Sequence, residues 1–305
     1  MTYENDLHLE VNYGSDLIDS DVLLVVQELL IRHAPKVAAS LEVHGFERDP
    51  ARILVDLSDP QALREAVRIK GTERGPVAED LSRLHGQPRY PRRFGSVLIR
   101  GRGPGTGGLH LSVRFDAYVP AAPMGTSWMW SNSISLSVST ERVHGVGRQE
   151  WVARAVSEIT DRTDVLWGAA YLNAEFQQSN LYQGPDGIHA LGRDMRTSLP
   201  GIFWLNIFGE PYVELLGMAR LLSIPAYGVH QSNQQVIMQA YEDAATWADQ
   251  RATKRALIAA IGADFFFDRD DPDGPHRSPD FGLGDLAPSS AFQVMTDGET
   301  YTELP

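Results

Sequence analysis

The sequence contains no cysteine among its 305 residues. Disulfide bonds, thiolate metal ligands and a cysteine nucleophile are therefore excluded. Long apolar runs are also missing: the most apolar early segment, Val22 to Ile31, is interrupted by Gln27 and Glu28 and is too short to span a bilayer. We therefore expect a soluble protein that does not enter a membrane.

Basic residues are scarce. The chain has 27 Lys and Arg against 40 Asp and Glu, which gives a formal net charge of −13. This excess of acid argues against binding to nucleic acid or to an anionic membrane surface by bulk electrostatics, whereas a basic partner remains open. The first 21 residues are acidic and have no basic region before an apolar one, which is not the pattern of a signal peptide, so we expect a cytoplasmic protein.

Local catalytic motifs are missing as well. The nine histidines form no His-x-His pair and no H-E-x-x-H helix, and neither G-x-S-x-G nor S-x-x-K occurs. Gly103 to Gly108 satisfies G-x-G-x-x-G, but the residues from Leu109 onward alternate like a strand, and a dinucleotide site needs a helix there. We expect a hairpin turn at this place, no cofactor, no metal centre and no catalytic residue.

What the sequence does contain is a mixture of helical and strand patterns. Four segments have the apolar spacing of amphipathic helices: Val22–Arg32, the segment between a capping box at Ser58 and Gly71, Gln149–Thr160 and Asp249–Ile261. Eight segments have strand patterns, several of them with polar and apolar residues in alternation: Ala51–Leu57, Gly95–Arg100, Leu109–Tyr118, Ser133–Thr140, Val165–Leu172, Ile202–Phe208, Ala226–His230 and Gln235–Tyr241. We predict an α+β fold with a largely antiparallel, mixed sheet packed by amphipathic helices.

One stretch, Leu199 to Gly217, is predicted to build the core. Its apolar run from Ile202 to Phe208 is typical of a strand covered on both faces. Gly209 ends that strand, Glu210 occupies an N-cap position, and a helix continues from Pro211 to Leu222. The polar segment from Ala174 to Arg196 that precedes it is predicted to be a long connection.

The chain is long enough for either one large α+β domain or two lobes. We expect a single domain over residues 1–305, with a possible division into lobes at about 1–145 and 146–268. The residues from 264 to 305 are rich in Asp, Pro and Gly and are predicted to be an acidic tail that wraps the surface or moves.

Two groups of residues are candidates for binding a partner. Trp128 and Trp130 lie two residues apart in a predicted loop, where they either anchor an interface or pack onto the edge of the sheet. The second group is the acidic segment Asp-Arg-Asp-Asp-Pro-Asp-Gly, which resembles a calcium loop but has Pro272 and Asp273 where the register needs a ligand and a glycine. We predict that it is a solvated acidic turn, and the alternatives are that it contacts a basic partner or binds a metal ion. Its carboxylates are Asp268, Asp270, Asp271 and Asp273.

The core stretch and the residues after it resemble the immunity protein 52 family of bacterial polymorphic toxin systems. The similar residues are Leu199–Gly217, Val236–Gln239, Tyr241–Asp243, Trp247, and the closing Leu257–Asp268 with its Phe265-Phe266-Phe267 run. The sequence departs from the family pattern at Gly228-Val229-His230, where paired glycines are expected, and residues before about 145 are not covered. The resemblance implies a cytoplasmic protein that binds and neutralises a cognate toxin and catalyses no reaction.

Two functions follow as hypotheses. The first is a toxin-neutralising immunity protein whose acidic surface attracts a basic toxin domain. The alternative is a metal-assisted hydrolase with a site assembled from dispersed residues, for which His110 and His230 lie in predicted strands and Asp116 and Glu175 are acidic partners. The first hypothesis is favoured because the chain has no local catalytic motif.

Overall fold

The computed structural model describes residues 5–13, 17, 21–33, 35, 41–44, 52–71, 95–101, 109–115, 132–139, 141–143, 145–184, 187–190, 198–268 and 277–279. The strands in these ranges are β1 (Leu7–Tyr13), β2 (Leu41–His44), β3 (Arg52–Leu54), β4 (Gly95–Gly101), β5 (Leu109–Phe115), β6 (Asn132–Val138), β7 (Arg142–Val143), β8 (Val146–Gly147), β9 (Trp167–Leu172), β10 (Leu181–Gly184), β11 (Gly187–Ala190), β12 (Leu205–Phe208), β13 (Gly228–Ser232) and β14 (Gln235–Gln239). The helices are α1 (Val22–His33), α2 (Ala62–Gly71), α3 (Arg148–Thr160), α4 (Asn173–Asn180), α5 (Glu210–Leu216), α6 (Met218–Leu222) and α7 (Arg251–Ile261). Two 3₁₀ helices span Ala244–Asp249 and Ala263–Phe265.

Ten of the described strands form one sheet in the order β13-β14-β12-β9-β1-β6-β5-β4-β2-β3. Every pairing between neighbouring strands in it is antiparallel. The prediction of an α+β fold with a largely antiparallel sheet is therefore confirmed. β13 forms one edge of this sheet and the short β3 forms the other, and the remaining described strands form two separate hairpins, β7–β8 and β10–β11.

Helices α1 and α3 pack together beside the middle of the sheet, and α3 also contacts β1. The buried residues of α3 recur at helical spacing, as its sequence predicts, and include Trp151, Val152 and Ile159. Gln27 of α1 is 1% exposed and joins this layer to α2, because its side chain donates to the Asp59 carbonyl at 2.6 Å and accepts from the Leu63 amide at 3.0 Å. Among the described residues, no helix is long and apolar enough to cross a membrane.

The core stretch forms the predicted strand and helix, with two differences. Gly209, rather than Glu210, is the N-cap of α5, because Glu210 already has helical backbone geometry. The predicted helix to Leu222 is broken at Gly217, whose φ of 88° is not helical, so that α5 and α6 are separate. All four residues of β12 are buried, as expected for a strand covered on both faces.

Several segments were predicted wrongly or missed, among them the short strands β2, β7 and β8, for which no strand was predicted. Ala174 to Arg196 is not simply a connection, since α4 and the β10–β11 hairpin occupy its described part. The sequence analysis also assigned no strand to β1, which lies near the centre of the sheet between β9 and β6. Its signal was present: Leu7, Leu9 and Val11 alternate with polar residues, which is the pattern of a strand with one apolar face.

Candidate functional site

Most of the residues predicted to bind a partner lie outside the described residues. This holds for Trp128 and Trp130, and in the acidic segment for Asp270, Asp271 and Asp273. Asp268 is described and is exposed, two residues beyond the bridge that pairs Leu199 with Phe266. Their assignment to a binding surface stays a prediction.

The two histidines of the hydrolase hypothesis are far apart. His230 is exposed on β13 and His110 belongs to β5, and five strands of the sheet lie between them. At a spacing of about 4.8 Å per strand, this separates the two backbones by about 29 Å along the sheet. The strand order therefore places these two histidines apart. Asp116 lies outside the described residues, and within them no three His, Asp or Glu side chains are placed to hold a metal ion.

The acidic partner in that hypothesis, Glu175, is already engaged. It is 0% exposed on α4, and the Tyr241 hydroxyl donates to its Oε1 at 2.7 Å. The Lys254 ammonium of α7 donates to the same oxygen and forms a salt bridge with it. Lys254 also lies 5.8 Å from the Tyr241 ring centroid and 5.9 Å from that of Trp247. We call Glu175, Tyr241, Trp247 and Lys254 the buried ion-pair cluster.

Charge and burial oppose each other in this cluster. Burial raises the pKa of the Glu175 carboxyl, and the Lys254 charge and hydrogen bond oppose that rise. Burial also raises the pKa of the Tyr241 hydroxyl, with the neighbouring Glu175 charge acting in the same direction. Tyr241 is therefore a neutral hydrogen-bond donor, and Lys254 is the compensating cation. The arrangement joins α4 to α7 and keeps Glu175 from acting as a free ligand or base.

A second polar group lies on the face of β1 opposite its apolar residues. Glu10 is 5% exposed and accepts a hydrogen bond of 2.9 Å from the Tyr171 hydroxyl. The Tyr171 ring stacks on His8 with 6.0 Å between the ring centroids. The register continues this row across the sheet, because His8 pairs with Ser137, which pairs with His110. The alternation of β1 is the sequence signal for this polar row, and the contacts of His8 and Glu10 with Tyr171 join β1 to β9.

A group of exposed carboxylates lies at one end of the sheet. The backbone at Gly209 passes so close to the segment before β9 that a Cβ on Gly209 would be 1.8 Å from the Val165 carbonyl oxygen. This contact brings the start of α5 close in space to Val165 and therefore to its sequence neighbour Asp164. Four exposed carboxylates belong to this end of the sheet, and we call them the acidic end: Asp161, Asp164, Glu210 and Glu214.

The acidic end has few compensating charges. Within the described part of the chain, none of its four carboxylates forms a salt bridge, whereas Glu28, Glu150 and Glu158 on α1 and α3 are paired with arginines. Glu210 and Glu214 are four residues apart on α5, where like charges repel each other by about 0.2–0.5 kcal/mol. The sequence analysis missed this surface because its members come from separate segments.

The β13–β14 hairpin is fixed to the same end by polar contacts. Ser232 donates to the Asp161 carboxylate at 2.6 Å. The Asn233 amide donates to the carbonyls of Thr160 and Asp161, and the Gln235 amide to those of Thr160 and Thr163. These bonds also satisfy carbonyls at the C-terminus of α3, which have no partner inside the helix. The edge of the sheet is thereby held in place beside the acidic end.

Comparisons with known proteins show no family. No protein-family profile matches the chain, and no curated protein sequence matches it. Among solved structures, the chain resembles a T6SS protein of Pseudomonas aeruginosa with a TM-score of 0.46 and 13% identity, over 96% of this chain and 81% of the other. A similarity at this level carries no conclusion about function.

Proposed function

We propose that the chain is a binding protein that neutralises a basic partner domain in the manner of an immunity protein, and that it catalyses no reaction. The observation that carries this proposal is the acidic end, where exposed carboxylates lie together without basic partners in the described part of the chain. The formal net charge of −13 acts in the same direction. The resemblance of Leu199–Gly217 to the immunity protein 52 family agrees with it.

A concentration of unpaired like charge costs folding stability, so it calls for a reason beyond folding. Solubility alone is served by acidic residues spread over the whole surface. A localised group instead steers a partner of opposite charge toward one face and raises its association rate, most strongly at low ionic strength. A basic toxin domain, such as a nuclease that binds anionic nucleic acid, has the complementary charge.

The contacts at the buried ion-pair cluster fit a binding protein better than the hydrolase alternative. The charge of Glu175 is compensated by Lys254. The two histidines, His230 and His110, lie far apart in the sheet. The described residues bring no nucleophile and base together at either place. Binding requires only that the surface be held rigid. The hydrogen bonds from the hairpin to the end of α3 fix the acidic end in this way.

The experiment that tests the proposal is co-expression with a toxin-like protein encoded beside this chain's gene. Cells that express the toxin-like protein should survive when the wild-type chain is present, and the two proteins should co-purify. The variant Glu214→Lys should slow association several-fold at low salt, because it reverses one charge of the acidic end. Asp249→Lys is the matched control, since Asp249 is exposed but lies at the end of a 3₁₀ helix outside the acidic end. The proposal is overturned if the wild-type chain neither rescues the cells nor co-purifies with the toxin-like protein.

A further inference from the structure

In the described part of the chain no strand pairs with the outer side of β13, and the alternation of hydrogen bonds along the ladder shows which of its backbone groups point outward. Ser232 and Gln235 flank a two-residue turn in which Asn233 has a φ of 53°, and such a turn closes with Ser232 and Gln235 as a hydrogen-bonded pair. On the other side of β14, the Ala240 amide donates to the Trp204 carbonyl, in register with the pairing of Met238 and Asn206, while its carbonyl accepts from Tyr227 where the strand ends. Because bonded residues alternate along a strand, the odd-numbered residues of β14 bond β13 instead. Their partners are Gly228, His230 and Ser232. Val229 and Gln231 therefore direct their amide and carbonyl groups away from the sheet.

These outward groups are available. By the alternation of the ladder, the backbone amides of Val229 and Gln231 take no part in the hydrogen bonds between β13 and β14. Gln231 and His230 are exposed, and Val229 is partly exposed. Proteins usually protect an open edge with lysine, proline or a bulge. The sequence Gly-Val-His-Gln-Ser of β13 has none of these, and its register to β14 is regular.

Carboxylates flank both ends of this edge. At the Ser232 end, Asp161 accepts from the Ser232 hydroxyl and remains exposed. Before Gly228, the Tyr227 amide donates to the Ala240 carbonyl at 3.4 Å, so Glu242, two residues further along the chain, lies near this end of the strand. The charge of Glu242 raises the pKa of the Tyr227 hydroxyl, in agreement with this placement. Tyr227 is 59% exposed. The five residue steps from Tyr227 to Ser232 separate these two ends of the strand by about 17 Å.

From this arrangement we infer that β13 is the docking edge for an extended, lysine- or arginine-bearing segment of the basic partner, which adds a strand to the sheet. This rests on the proposed function and specifies how that partner is held. Backbone bonds to Val229 and Gln231 supply the pairing, and Asp161 and Glu242 select basic residues at its two ends. A second copy of this chain fits less well, because antiparallel pairing of two β13 strands brings Asp161 of one copy toward Glu242 of the other, and like charges meet.

The probe is a fluorescein-labelled nine-residue peptide, KKVTVTVKK, titrated against the intact chain at low salt. Binding should protect the Val229 and Gln231 amides from hydrogen exchange, as read by NMR. Gln231→Pro should weaken binding about tenfold, since it removes one outward donor and places a ring in the docking path while keeping all bonds to β14. Gln231→Thr, which keeps the amide, is the matched control and should bind like the wild type. Asp161→Asn and Glu242→Gln should each weaken binding several-fold and reduce its salt dependence.

Three results would overturn the inference: no binding to the wild type, equal binding by Gln231→Pro, or equal binding of a peptide in which glutamates replace the lysines. A protein that is dimeric alone and becomes monomeric on Gln231→Pro would assign the edge to a second copy instead. The co-expression experiment separates this failure from that of the proposed function. If Gln231→Pro still rescues cells as the wild type does, the chain neutralises its partner through another surface and only the docking edge is wrong.

Discussion

Replacing Lys254 by methionine should turn Glu175 into a pH-dependent weak point of the fold. Methionine keeps an unbranched apolar side chain of similar length at this position, but removes the ammonium group that lies near the rings of Tyr241 and Trp247. Glu175, at 0% exposure, then has Tyr241 as its remaining side-chain donor. Breaking a buried ion pair by removing one partner costs about 3–5 kcal/mol. With an unfolding entropy of about 2.1 cal/mol/K per residue, this lowers Tm by about 5–8 °C.

The pH dependence gives the sharper test. Loss of Lys254 removes the charge that opposes the rise in the pKa of Glu175, so the folded-state pKa of the variant rises further above the unfolded value. A group with a raised folded-state pKa stabilises most below its unfolded pKa, and this stability is lost as pH rises through the folded pKa. Lys254→Met should therefore be more destabilised, relative to wild type, at about pH 8 than at about pH 5.

The assay is thermal and urea unfolding of four proteins: wild type, Lys254→Met, Glu175→Gln and the double variant. The double variant has neither the carboxyl of Glu175 nor the ammonium of Lys254, so its difference from wild type should change much less with pH than that of Lys254→Met. It should also be more stable than Lys254→Met at about pH 8, because no buried charge is left without compensation. The reasoning is refuted if Lys254→Met loses the same unfolding free energy at both pH values. It is also refuted if the double variant loses as much as the two single variants together.

Three further substitutions test the packing that supports the binding surface. Gly209→Ala should lower the unfolding free energy by about 3 kcal/mol or more, because its Cβ would be 1.8 Å from the Val165 carbonyl oxygen. In the control Gly228→Ala the added Cβ meets only the Gln239 Cβ at 4.0 Å, and equal unfolding midpoints of the two variants would contradict the prediction. Asn206→Ala should cost about 2–4 kcal/mol in urea unfolding, since Asn206 is 0% exposed and bonds both the amide and the carbonyl of Phe203; a loss below 1 kcal/mol would count against it. Gln235→Ala should speed hydrogen exchange at the β13–β14 turn and leave α7 unchanged, because its amide holds the turn to α3.

Local patterns predicted most of the individual elements. The spacing of apolar residues indicated α1 and α3, and alternation indicated the β4–β5 and β13–β14 hairpins, because these features depend on neighbouring residues alone. The break at Gly217 was missed although glycine gave a signal for it. The error at 174–196 has a different cause: α4 is short and polar on most of its surface, and it is held by packing rather than by its own pattern.

The candidate sites were much less accessible from sequence. Glu175 and Lys254 are 79 residues apart in the chain, and only packing brings them together. The acidic end unites carboxylates from the end of α3, the segment before β9 and the start of α5, so no window of sequence contains it. The status of β13 as an edge depends on the order of ten strands, which alternation within each strand does not encode.

The central claim is that the acidic end receives a basic partner. Its most direct measurement is the survival of cells that express the neighbouring toxin-like protein together with either wild-type chain or a variant carrying Asp164→Lys, Glu210→Lys and Glu214→Lys. The account predicts survival with the wild type and loss of survival with the charge-reversed variant, provided that both chains accumulate to the same level. Equal survival with the two chains would contradict it.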